Sequence, residues 1–89
     1  MLESKDKGFM KEELDRLREL RDELRVQAGL GRAELRDRWQ ELERRWHQLE
    51  GRLKLVREGA REDAKDVREA ARLLAGELRE GYEHLRKRL

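Results

Sequence analysis

From Met10 to Leu89 apolar residues recur every three or four positions, and almost nothing between them favours a turn. The chain has no Pro, Asn or Thr, and its one Ser is Ser4. Such spacing predicts helix almost throughout. The stripe runs as a heptad through Met10, Leu14, Leu17, Arg21, Leu24, Ala28, Gly31 and Leu35. It takes an extra step of four from Leu35 to Trp39, from Ala60 to Ala64 and from Leu78 to Tyr82, and ends on Leu85 and Leu89. From Leu35 onward the mean spacing is 3.6 residues, the period of a straight helix rather than of a tightly supercoiled one. Bundle packing suits it better than a long two-stranded rope.

Two places could interrupt the helix, Gly29-Leu30-Gly31 and Glu58-Gly59-Ala60. Cations are favoured in the last turn of a helix and anions in the first, because the peptide dipoles align along its axis. Arg52, Lys54 and Arg57 precede Gly59, whereas Glu62, Asp63 and Asp66 follow it. No such switch surrounds the double glycine, where Arg25 precedes and Arg32 follows. Gly59 is therefore the expected C-terminal cap and turn. The predicted fold is all-α: an antiparallel, coiled-coil-like helical hairpin with a long helix over about 10–57 and a second over about 61–88. Residues 1–9 form a flexible N-terminus, and 10–89 a single domain.

A reversal at Gly59 makes the numbers of facing residues sum to about 118. Trp46 then lies opposite Ala71 and Ala75, Leu42 near Gly76, Leu53 near Ala64, and Trp39 near Leu78 and Gly81. Bulky side chains on one arm meet small ones on the other, as interdigitated layers require. The expected core anchors are Trp39, Leu42, Trp46, Leu49, Leu53, Val67, Leu74, Leu78 and Tyr82. Leu89 falls opposite Gly29, so residues 10–28 overhang the hairpin with a stripe of Met10, Leu14, Leu17, Leu20 and Leu24. That stripe is the expected interaction surface. Its phase continues across the glycines, and two Gly in a helix interior cost only about 2 kcal/mol. Both points favour one continuous helix whose overhang a second copy covers, completing a bundle by dimerisation. The alternative is a monomeric three-helix bundle with a break at Gly29–Gly31.

Composition supports helices that need company. The chain has 89 residues, 49% of them charged and 36% apolar, a size at which a lone core is marginal. The charges read as a solvated face, with Glu12–Arg16, Glu34–Arg38, Glu41–Arg45, Glu50–Lys54 and Glu83–Lys87 as i,i+4 pairs in the favourable order. From about Val56 onward, Val56-Arg57, Asp66-Val67-Arg68 and Glu77-Leu78-Arg79-Glu80-Gly81-Tyr82-Glu83 stand at the spacing of a known pattern. Over these 30 or so residues the chain resembles small bacterial proteins predicted to form coiled coils, some of them stress-associated. Ala64 and Ala75 stand where that group often has Trp, and its Ser-rich junction is missing. The resemblance implies a helical hairpin and carries no catalytic residues.

Little else encodes chemistry. The absence of Cys excludes disulfides, zinc–thiolate sites and cysteine nucleophiles. His47 has Glu43 and Glu50 on its helix face and His84 has Glu80, but neither stands in the Glu-x-x-His motif of a bundle di-iron site. Phosphate-cradling, nucleophile-elbow and dinucleotide fingerprints are missing too, so no metal, cofactor or small-molecule substrate is implied and the chain is not expected to be an enzyme. Residues 32–57 carry eight basic and five acidic groups, and Arg86-Lys87-Arg88 lies near the end. Nucleic acid or an anionic membrane surface is the less favoured partner, because interleaved acids would repel phosphate. No signal-peptide core or membrane-length apolar run occurs, and a cytoplasmic location is expected. The residues point to a non-catalytic scaffold or adaptor module that self-associates, with a further protein as a second kind of partner. If Trp46 fills the layer between the arms, Trp46→Ala should lower unfolding free energy by about 3–5 kcal/mol, while His47→Ala should leave the denaturation midpoint nearly unchanged.

Overall fold

The computed structural model describes residues 8–59 and 64–89, which form three helices: α1 (Lys11–Gly29), α2 (Ala33–Arg57) and α3 (Ala64–Arg88). They pack up-down-up into one bundle measuring 46 × 23 × 16 Å. Contacts between α2 and α3 are the most extensive, and α1 lies across both.

The long helix expected over 10–57 is two helices. After Gly29 the Leu30 N–H is shared between the Val26 and Gln27 carbonyls, the Gly31 N–H reaches the Ala28 carbonyl, and Arg32 is extended. The chain then turns back. Local preference leaned towards continuity by only a few kcal/mol, since two glycines already weaken that helix. Folding back buries Leu14, Leu17, Leu20 and Leu24, each worth about 1.5–3 kcal/mol relative to full exposure. A second copy could cover the same stripe only by paying the entropy of association, about 4–15 kcal/mol, whereas a two- or three-residue link closes a very short loop. Residues 10–28 are thus covered by their own chain, and the overhang that motivated a dimer does not exist.

The turn at Gly59 is where the charge switch places it. Gly59 has φ +76°, the left-handed C′ conformation, with its N–H on the Val56 carbonyl. Lys54 and Arg57 occupy the last turn of α2, and Asp66 the first turn of α3. Ala60, Glu62 and Asp63, and the expected start of the second helix at 61, lie outside the described residues. The register differs from the expected one. Arg45 faces Glu77, Leu42 faces Gly81, Trp39 faces Tyr82 and Arg88 faces Glu34, so facing numbers sum to about 122 rather than 118. The shift is one helical turn. Gly59 opens the connection instead of sitting at its centre, so the pivot falls later in the chain. Leu42 therefore meets Gly81, not Gly76, and Leu89 stands near the start of α2 rather than at Gly29.

Of the expected anchors, Leu42, Trp46, Leu49, Leu53, Leu78 and Tyr82 are buried, and Trp39, Val67 and Leu74 are half-buried. Phe9, assigned by the sequence pattern to the flexible N-terminus, packs half-buried against the core with the Arg72 guanidinium 5.1 Å from its ring centre. Residues 1–7 of that segment lie outside the described residues. Met10 caps α1 in a left-handed conformation, φ 55°, unusual for a long side chain, and is buried beside Phe9. Among the described residues no helix is long and apolar enough to cross a membrane.

Two glycines give opposite expectations. Gly59→Ala should cost about 1 kcal/mol, because a Cβ is strained at positive φ. Gly76→Ala should add up to about 1 kcal/mol, because Gly76 is helical and its Cβ would meet nothing within 4 Å. Urea denaturation of the two variants beside the parent chain checks both signs.

Candidate functional site

Two features stand out from a surface of ordinary ion pairs: a polar cluster set into the core, and an uncovered groove on the far side of the bundle from α1.

The polar cluster begins with Arg21, a charged residue at a heptad core position. Its Nε and Nη2 donate to the two carboxylate oxygens of Glu43 on α2, at 3.0 and 2.9 Å, a bidentate pair only about one-fifth exposed. The guanidinium also lies 5.1 Å from the Trp46 ring centre, in cation–π contact. The hydrogen bond that Arg21 donates to Glu43, more than the Glu43 charge, raises the Arg21 pKa. Tyr82 on α3 completes the cluster, its ring 6.0 Å from that of Trp39. Its hydroxyl is buried with no hydrogen-bond partner among the described residues. Burial, reinforced by the Glu43 charge, pushes the Tyr82 pKa well above its ordinary value. The Arg21–Glu43 pair ties α1 to α2 in one register.

Both histidines lie on the surface. His47 Nδ1 is 3.2 Å from Glu50 Oε1, and its Nε2 is 3.8 Å from Glu43 Oε1. His84 is exposed. Among the described residues no three His, Asp or Glu side chains converge as a metal site.

The groove lies between α2 and α3. Near the Gly59 turn it is lined by Gln48, Gly51, Arg52 and Leu55 of α2, and by Ala70, Leu73, Leu74 and Glu77 of α3. Leu73 is 69% exposed and Leu55 39%, although both belong to long, otherwise well-packed helices. Farther along, the groove is walled by Glu34, Arg38, Glu41 and Arg45 on one side and by Glu77, Glu80, His84 and Arg88 on the other. Arg45 bridges to Glu77 at 3.4 Å and approaches Glu41 at 3.9 Å; Arg88 approaches Glu34 at 3.8 Å. Gly51 sits in mid-helix beside this patch, and a Cβ there would meet nothing within 4 Å. Packing within the chain does not require a glycine at that position. Gly81 is the contrast, since a Cβ there would run into a Leu42 methyl.

The stripe expected to be the interaction surface is placed elsewhere. Met10, Leu14, Leu17, Leu20 and Leu24 are all buried inside the bundle, because α1 folds back. The groove residues Leu55 and Leu73 were legible only as leucines off the stripe in a charged background, and that was the available signal. Val26, 67% exposed, and Leu30, 84% exposed, are the other off-stripe cases, near the α1–α2 link.

Comparison of the chain with protein-family models, with curated proteins and with solved structures finds no match.

Removing the unpartnered hydroxyl in Tyr82→Phe should leave stability unchanged or raise it by about 1 kcal/mol. The pH dependence has a definite sign. Because the folded-state pKa is raised above the unfolded value of 10.0, the folded state holds its proton more tightly; stability is fully present below pH 10 and declines as pH rises beyond it. In Tyr82→Phe that decline should be shallower, as read from denaturation midpoints between pH 8 and about pH 11.

Proposed function

We propose that the chain is a non-catalytic helical interaction module, a scaffold or adaptor, that self-associates and works in the cytoplasm. The observation that carries this reading is the apolar patch of Leu55, Leu73 and Leu74 in a groove that no element among the described residues covers. Large side chains left in water on a small bundle mark a contact surface more often than a lone exposed leucine does. The remaining residues support it: the partly buried pair Arg21–Glu43 is engaged in its own contacts, His47 faces solvent beside Glu43 and Glu50, and His84 is exposed.

The two rival partners draw less support. Arg45, Arg86 and Arg88 each have a carboxylate within 4 Å, in Glu77, Glu23 and Glu34, so a phosphate backbone would meet acids wherever it met these bases. A helix lying on a membrane surface presents its apolar face to lipid, whereas all three apolar stripes here are turned inwards.

Sedimentation equilibrium of the intact chain tests the reading: a reversible dimer should populate between tens and hundreds of micromolar. A strictly monomeric species across that range would sink it. A gel shift with random duplex DNA at low salt should show no complex.

A further inference from the structure

We infer that the α2–α3 groove is the self-association surface, and that a second copy seats on it about a two-fold axis running parallel to the helices. The inference rests on the self-association proposed above and names its surface and geometry.

The first argument is size. A face two helices wide and 25 residues long is about 37 Å by 20 Å, on the order of 700 Å² per copy, close to the roughly 800 Å² per partner of a standard stable interface. α1 covers the other side of the same two helices, so among the described residues nothing lies over this face.

The second argument is charge. On one wall α2 contributes Arg38, Arg45 and Arg52 against Glu34 and Glu41, an excess of one positive charge, and on the other α3 contributes Glu77 and Glu80 against Arg88, an excess of one negative charge. Arg45 and Glu77 stand at the same height along the bundle, as their ion pair requires. A two-fold axis parallel to the helices preserves height and exchanges walls. The partner's α2 then lies over α3, and the partner's Arg45 comes to the level of Glu77. An axis perpendicular to the helices would instead stack α2 on α2, two walls of the same net charge.

The third argument is the apolar patch. Leu55, Leu73 and Leu74 lie towards the Gly59 end of the groove rather than at its middle. Only the parallel axis sets patch on patch while keeping the rest of the groove covered. Leu73 stands at nearly the height of Gly51 on the opposite helix, so the same operation brings the partner's Leu73 over Gly51. The missing Cβ, which nothing within the chain calls for, leaves room for that side chain.

Sedimentation equilibrium with the full chain tests this, helix content being checked by circular dichroism. Leu73→Glu should weaken dimerisation at least about tenfold with helix content unchanged, because Leu73 is 69% exposed in the monomer. Val26→Glu, at a position 67% exposed on α1, should leave the dimer as it is. A chain carrying both Arg45→Glu and Glu77→Arg should dimerise with itself and not with the wild-type chain, because the parallel axis sets position 45 of one copy against position 77 of the other. A wild-type dimer untouched by Leu73→Glu, or weakened as much by Val26→Glu, overturns the groove while leaving self-association standing. A double variant that pairs with the wild-type chain in preference to itself overturns the axis. A wild-type chain that stays monomeric overturns both the surface and the reading beneath it.

Discussion

The return of α1 onto α2 and α3 is the event on which the rest of the structure depends. Leu17, Leu20 and Leu24 are at most 2% exposed, and they reach that state only because the chain breaks between Gly29 and Ala33. Once α1 lies across one side of the α2–α3 pair, that side becomes core and the opposite side becomes the free face. Without the return, the 10–28 stripe would be the exposed apolar surface. With it, the exposed leucines Leu55 and Leu73 lie on the other two helices.

A core of leucines and alanines specifies burial better than it specifies register, since neighbouring turns of such helices look alike. For α1 on α2, Arg21 and Glu43 supply the missing distinction. The Arg21–Glu43 pair costs desolvation, and exchanging it for well-packed apolar side chains need not weaken the fold. Its geometry, however, is satisfied at one offset of α1 on α2 only. Slipping α1 by a turn would strand a guanidinium or a carboxylate in a largely dry site. A single polar pair at a heptad core position acts similarly in coiled coils, where it fixes alignment at some expense of stability.

The exposed charges do a different kind of work. Several pairings differ from those that helical spacing suggests: Arg16 meets Glu19, Glu83 meets Arg79, and Glu34 reaches across to Arg88. Each such contact is worth little in water. Their collective effect is a surface of nearly balanced charge, +2 over the whole chain, in which long-range attraction to any one polyanion is weak. Specific association on such a surface has to come from shape and from apolar patches.

All-helical architecture, the Gly59 turn and most of the core were written in the sequence, because each rests on local chemistry. Periodicity of 3.6, the sign change of charges around Gly59 and the absence of turn-forming residues all act within a few residues of one another. Trp46, Leu49, Leu53 and Leu78 were readable as core for the same reason. Tertiary structure alone decided whether the helix continues past Gly29, since a local preference of a few kcal/mol was set against the burial of a whole stripe. It also set the α2–α3 register one turn from the expected one, because the length of a connection beyond its capping glycine is not visible in helix periodicity. The exposed groove followed from both decisions: a leucine such as Leu73 becomes a surface feature only when the packing of the other two helices leaves its side of α3 uncovered.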